Sequence, residues 1–304
     1  MMYTFVFVLR NEILNVYSIY DIISVSYSIV SSLYRLQNAM KNCDVVFHCA
    51  ALTDLMQPWE QFLDVIVEGT RRVLQAAANN KIRKVIHVSS EASLMKGFGS
   101  PLVNVTEADE LPDPEIEQGQ LFYSRSKNMA ERVCSEFAAT YNTGEYKCEV
   151  IIVRPRFIWG CGDTLILPKL IEQAKSTLGF AYVGGGVCMT STVNISNCIH
   201  GMLLASQYGR SGQAYFITDS ENSSYRSFFC QLFTTQGIDG SNFPSLPIYL
   251  AQWIAWTGLI PDLTVQSLAL LGQEVTVVHD KARKELMYAP IITVAEGMEE
   301  LKSV

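Results

Sequence analysis

The chain of 304 residues contains 19 glycines, yet none precedes Gly69. A glycine-rich phosphate-binding turn is therefore excluded from the amino-terminal region, because only glycine lets a backbone approach a phosphate that closely. Basic residues are also in deficit: 23 Lys and Arg stand against 30 Asp and Glu, a net charge of -7. That balance argues against a nucleic-acid partner. The cysteines at 43, 49, 134, 148, 161, 188, 198 and 230 form no CxxC pair and no zinc spacing. They read as free thiols of a reducing, cytoplasmic compartment. No His/Asp/Glu cluster has metal-ligand spacing, so no metal is expected. G-x-S-x-G is absent, which argues against a nucleophile-elbow hydrolase. No apolar run reaches the roughly 20 residues of a spanning helix. The nearest is IYLAQWIAWTGLI (248–260), interrupted by Gln252. It reads as a buried helix, with membrane-surface contact as the alternative. Tyr3 to Leu9 is apolar, but no basic segment precedes it and no cleavage site follows, so it does not read as a signal peptide.

What is present is a globular chain, 49% hydrophobic and 17% charged. Short apolar strands alternate with amphipathic helices. DVVFHC (44–49), KVIHVSS (84–90) and CEVIIVRP (148–155) are near-continuous apolar strands, and QAYFIT (213–218) is a later one. A helix is expected from Pro58 to about Asn80 and another over 122–141. In the second, Met129, Val133 and Phe137 recur every four residues beside Ala130, Cys134 and Ala138. Two such adjacent rows make one wide buried stripe. This order predicts an α/β fold, a doubly wound parallel sheet covered on both faces. The segment 97–120 reads as loop. Residues 156–211 and 219–304 read as loops and short helices forming a smaller lobe.

Tyr123 and Lys127, at i and i+4 in FYSRSKNMAE, share one helix face. An ammonium near a phenol favours phenolate and suits the tyrosine to acid–base work near neutral pH. The motif is common by chance, and an ordinary exposed pair is the plain alternative. Three other features end strands, where ligands bind in open α/β sheets: Ser89-Ser90, the small residues of HCAA (48–51), and RPRFIWGCGD (154–163). His48 and His87 lie inside apolar strands and read as satisfied core or cleft histidines.

With these residues in place the chain resembles the extended short-chain dehydrogenase/reductases, and most closely their 3β-hydroxysteroid dehydrogenase/isomerase branch. NCDVVFHCAA (42–51), EGTRRVLQAA (68–77), KVIHVSS (84–90), YSRSKNMAE (123–131) and RPRFIWGCGDTLILPKL (154–170) carry the resemblance. YVGGG (182–186), GQAYFIT (212–218) and HDKARKELMYAP (279–290) extend it. It implies a Rossmann-type core at 41–155, a carboxyl-terminal substrate lobe over 156–304, and hydride exchange between a secondary alcohol and NAD or NADP. The alcohol would be a sterol or another apolar molecule. By this resemblance Tyr123 exchanges the hydroxyl proton, Lys127 lowers its pKa and holds the nicotinamide ribose, and Ser90 orients the substrate oxygen. His48, Cys49, Ala50, Ala51 and Pro155 would line the cofactor cleft. A homodimer and a cytoplasmic location at the endoplasmic reticulum membrane are further expectations. A sugar-nucleotide epimerase or dehydratase is the alternative within the superfamily, disfavoured by the apolar carboxyl-terminal lobe.

The chain departs from this pattern at the glycine turn, at Ile66 and at Phe157, which follows Arg156 where the family often has glycine. The glycine turn is missing, and residues 1–40 stand in its place, with Tyr3 to Leu9 as a replacement strand. Asp21-Ile22 matches a family Asp near the adenine only faintly, since its spacing to Asp44 is too long. Gly184 to Gly186 reads as a loop in the substrate lobe, outside any strand–turn–helix pattern. In LDVIVEGT (63–70), Ile66 stands where the family has an asparagine. Two accounts fit: a longer natural amino terminus that carries the turn, or a relative that has lost dinucleotide binding.

Overall fold

The computed structural model describes residues 6–9, 30–141, 146–177, 179–260 and 263–302. Asp21-Ile22 and residues 3–5 lie outside the described residues. The chain divides into two compact units. The first gathers residues up to Leu94 with Glu110–Arg154 and Met202–Tyr215; the second gathers Met95–Asp109, Pro155–Gly201 and Phe216 onward.

The chain's largest sheet has five strands, most of whose residues fall in the first unit. Its strands are β1 (Val6–Leu9), β2 (Val45–His48), β3 (Lys84–Val88), β4 (Glu149–Pro155) and β5 (Ala214–Ile217), side by side in that order. Strands β2, β3 and β4 are parallel, with Val46 opposite Val85 and Val85 opposite Val150. Every residue of β2 and β3 is buried, as a parallel sheet covered on both faces requires. The expected replacement strand is present in β1, but it runs antiparallel to β2, with Val6 opposite His48 and Leu9 opposite Val45. The amino end of β1, rather than a strand-to-helix turn, therefore meets the carboxyl edge of β2.

Helices α1 (Leu33–Ala39), α2 (Trp59–Phe62), α3 (Gly69–Asn79) and α4 (Phe122–Tyr141) belong to the same unit. One π-helical turn, Leu63–Glu68, joins α2 to α3. The expected helix from Pro58 to Asn80 is thus a single run with a bulge at its centre. Val46, Val85, Val150 and Ile152 of the sheet pack with Leu36, Val73, Leu74, Val133, Cys134 and Ala138. Of the predicted stripe of α4, Val133, Cys134 and Ala138 enter this core with Met129 and Phe137 packed against it, while Ala130 joins a second cluster with Leu52, Phe62 and Ile66. Gly69 lets the chain at Val30 approach α3, since a Cβ there would lie 2.7 Å from Val30 Cγ1. Arg72 fixes the same junction by donating to the carbonyls of Val30 and Asp64. On the sheet, Lys84 is buried, with Nζ donating to Ser206 O at 2.9 Å and lying 3.0 Å from Glu149.

The second unit holds a four-stranded sheet, Ser223–Ser224, Met189–Thr190, Val275–Val277 and Leu102–Val105 in spatial order. This corrects the reading of 97–120 as loop. Leu102–Val105 pairs parallel with Val275–Val277, more than 170 residues away in sequence. It buries only Leu102 fully, so it lacks a strand's alternation. Phe157, Trp159, Phe180, Tyr182, Phe228, Phe229 and Phe233 form its core. Within it Asp219 accepts from Trp159 Nε1 at 2.9 Å, Thr192 Oγ1 at 3.0 Å and Asn197 Nδ2 at 2.7 Å.

The segment 248–260 is a second correction. The helix Ile248–Thr257 buries Ala251 and Ile254, whereas Tyr249, Trp253 and Trp256 are 74%, 53% and 81% exposed. Its sequence is apolar all round, so no periodicity marked which side faces inward. No helix among the described residues is long and apolar enough to cross a membrane.

Candidate active site

Strand β3 ends at Val88, and the chain then passes through Ser89 and Ser90 into a 3-10 turn, Glu91–Leu94. Helix α4 packs against that turn. This juxtaposition brings the expected Ser90, Tyr123 and Lys127 into one unit at the carboxyl edge of the sheet. Lys127 is 2% exposed, and its Nζ donates to Val88 O at 2.8 Å. The same Nζ lies 5.9 Å from the centre of the Tyr123 ring. Burial pulls the Lys127 ammonium down to about 8, against the pull of neighbouring acidic groups that include Glu131 and Glu91. At neutral pH it still carries its proton and sets a positive charge beside the phenol. Tyr123 is half-buried, packed against an apolar cluster of Ala51, Leu52, Phe62, Val65, Ile66 and Ala130. Ser90 is 7% exposed; its Oγ donates to Glu91 Oε2 at 2.6 Å and accepts from Ala92 N–H at 3.2 Å.

A buried ion pair braces this edge. Glu131, one turn beyond Lys127, receives Arg154 Nη2 at 2.6 Å and Arg154 Nε at 2.9 Å. It also accepts from Ser89 Oγ at 2.5 Å. One carboxylate thus ties α4 to the ends of β3 and β4. Such a pair contributes little net stability, because desolvation offsets the attraction, but losing one partner strands the other's charge. Sequence reading missed it. Glu131 ends YSRSKNMAE and Arg154 opens RPRFIWGCGD, but nothing local pairs positions 131 and 154.

The remaining residues are placed less uniformly. Ala50 and Ala51 are buried, Cys49 is half-buried, and Pro155 is buried at the end of β4. Burial raises the Cys49 thiol to about 12, so it is not a thiolate nucleophile. His48 is fully buried, its Nε2 3.0 Å from Thr70 Oγ1 on α3. The Thr70 hydroxyl gives its own proton to Ile66 O at 2.6 Å. His48 Nε2 must then be the donor, which fixes the tautomer. His87, expected to be satisfied, lies beside it with ring centres 5.2 Å apart, 1% exposed, and neither of its nitrogens is partnered. Burial holds both imidazoles neutral, His48 at about 3. Ile66, expected to stand at the family's asparagine position, is fully buried in the π-helical turn. Its side chain serves packing, while its carbonyl is held by Thr70.

The model of the 3-beta hydroxysteroid dehydrogenase/isomerase family matches residues 7–248. The chain belongs to that family. Among curated members, a 4-hydroxy-2-methyl-3-oxo-4-farnesyl-3,4-dihydroquinoline-1-oxide ketoreductase of Stigmatella aurantiaca is 38% identical over 88% of this chain and 79% of its own length. A decarboxylating sterol-4-alpha-carboxylate 3-dehydrogenase of Dictyostelium discoideum is 28% identical over 90% of this chain and 85% of its own. Among solved structures, a dTDP-glucose 4,6-dehydratase of Streptomyces venezuelae aligns with a TM-score of 0.69, 19% identity, and 90% and 76% of the two chains. That likeness shows the shared Rossmann-type α/β fold. The family assignment agrees with the resemblance carried by the strand ends and the Tyr123–Lys127 helix.

A nicotinamide dinucleotide is the cofactor such a family implies, and the described residues fit it unevenly. At the reactive end the fit is good: Lys127 brings a cation to the carboxyl edge of β3, beside a phenol. At the pyrophosphate end, the strand next to β2 is reversed, and the described residues supply no glycine turn there.

Proposed function

We propose that the chain is an NAD(P)-dependent oxidoreductase acting on the CH–OH group of an apolar, sterol-like secondary alcohol. The observation that carries this reading is Tyr123 and Lys127 on one face of α4, with Lys127 Nζ docked on Val88 O where β3 gives way to Ser89-Ser90. The relatives support it: one is a ketoreductase, another a sterol 3-dehydrogenase. When bound, the dinucleotide would accept or supply the hydride. Tyr123 would hold and move the alcohol proton at its phenolic oxygen. Lys127 would favour the phenolate by its charge and would hold the nicotinamide ribose. Ser90, once turned from Glu91, would orient the substrate oxygen. The apolar wall of Leu52, Phe62 and Ile66 beside Tyr123 would exclude water from the reacting groups.

The test is turnover of 3β-hydroxysterols with NAD and NADP, read by reduced-nicotinamide absorbance, for the wild type and Y123F. Turnover lost in Y123F is expected. Turnover equal in both, or absent from the wild type across the panel, overturns the proposal. A second reading, a relative that keeps the fold without binding dinucleotide, is favoured by the reversed β1. Calorimetry with NAD and NADP separates the two, since micromolar binding removes the second. Exposed Trp253 and Trp256 support a membrane-surface contact. Reduced liposome co-sedimentation of W253S/W256S is the expected sign.

A further inference from the structure

The segment between Glu110 and Leu121 was expected to be plain loop, yet it buries a polar side chain at a strategic place. Gln118 is 1% exposed. Its Nε2 donates to Ser93 O at 3.0 Å, in the turn that follows Ser90. Its Oε1 accepts from Asn128 Nδ2 at 2.9 Å, on the residue next to Lys127. Asn128 is itself fully buried and donates to Pro112 O at 2.8 Å. The orientation of both amides is dictated by their partners. Ser93 O can only accept, so Gln118 must present its NH2 there. Arg132 Nε can only donate, and it lies 2.9 Å from Asn128 Oδ1, so Asn128 must turn its NH2 toward Gln118 and Pro112. Arg132 Nη2 closes the set on Pro112 O at 3.0 Å. The Ser93 N–H in turn reaches Ser90 O at 3.2 Å. A continuous path of hydrogen bonds therefore runs from the Ser90 turn through one carboxamide to the helix bearing Tyr123 and Lys127.

We propose that Gln118 is a positioning residue: its carboxamide sets the Ser90-bearing turn in register with the Tyr123–Lys127 helix. The inference rests on the function proposed above. Of side chains this long, only a protonated glutamic acid would also offer a donor at one branch and an acceptor at the other. Methionine keeps the length and loses both bonds; an ionised glutamate keeps the acceptor toward Asn128 and loses the donor toward Ser93. Misplacing reacting groups by a fraction of an ångström costs rate more than binding.

The experiment compares wild type, Q118M and Q118E in two ways, under conditions where each is folded by circular dichroism. Steady-state turnover of a 3β-hydroxysterol should show kcat reduced by about tenfold or more, with KM for alcohol and cofactor within about twofold of wild type. Hydrogen–deuterium exchange should show faster exchange in the 90–94 turn and the first two turns of α4, with β4 unchanged. An unchanged kcat in folded variants refutes the positioning role. If the wild type itself shows no turnover, the proposed function fails on its own, and exchange still decides the tie: equal exchange in the 90–94 turn and α4 overturns it. Should Q118M fail to fold, Q118L, which also lacks both bonds, carries both readouts.

Discussion

Replacing Lys127 by methionine should alter stability in a way that changes sign with pH. In the native protein the ammonium titrates at about 8, against 10.5 for a solvated lysine. Each pH unit of displacement is worth about 1.4 kcal/mol, so burying the charged form costs about 3 kcal/mol. Between those two values the unfolded chain holds a proton that the native chain has released. Unfolding then takes up a proton, and stability rises with pH across that window. Below about 8 the whole cost is present; above about 10.5 it is gone. Methionine removes the cost together with the hydrogen bond to Val88 O, a bond worth about 1 kcal/mol. At neutral pH K127M should therefore be about 2 kcal/mol more stable than wild type, and at the alkaline end about 1 kcal/mol less stable. Urea unfolding of both proteins across this range is the assay, with activity followed in parallel and expected to fall by about two orders of magnitude or more. Stability curves that stay parallel from neutral to alkaline pH would refute the argument, because they would mean that the Lys127 ammonium is not desolvated beside Tyr123.

Other perturbations test the surroundings of the site. E131Q leaves Arg154 buried without its carboxylate and should lower unfolding stability by about 3 kcal/mol or more in chemical denaturation. H87L removes two unpartnered buried nitrogens and should raise the thermal midpoint at neutral pH. Because burial depresses the His87 pKa, native stability falls as pH drops below 6.5; H87L should flatten that acid limb, and an unchanged acid limb would contradict the burial argument. I66N places an amide among Leu52, Phe62 and Val65 and should cost roughly 2 kcal/mol or more of unfolding stability.

The sheet and α4 were legible because their signals are local. Near-continuous apolar strands and a four-residue repeat state the burial of each element without reference to the rest of the chain. The limits of α4 are met at both ends, Phe122 and Tyr141. Direction was not legible in β1: YTFVFVL has the composition of a strand, but composition does not distinguish parallel from antiparallel pairing. Strand Leu102–Val105 stayed hidden for a related reason, since its partner Val275–Val277 supplies the ladder and its own residues carry no alternation. The same division runs through the site. Tyr123 and Lys127 are visible because four residues on a helix is a spatial statement in itself. Glu131 with Arg154, His48 with Thr70, and Gln118 with Asn128 and Ser93 are separated by 10 to 25 residues and meet only after the sheet is assembled. These hidden contacts are the polar ones inside the fold, where an unmatched group is costly and partner choice is most exacting. Sequence thus reveals the groups proposed for the chemistry, while the assembled fold reveals what holds them. That is why a buried glutamine in an apparent loop is the residue whose substitution separates positioning from mere folding.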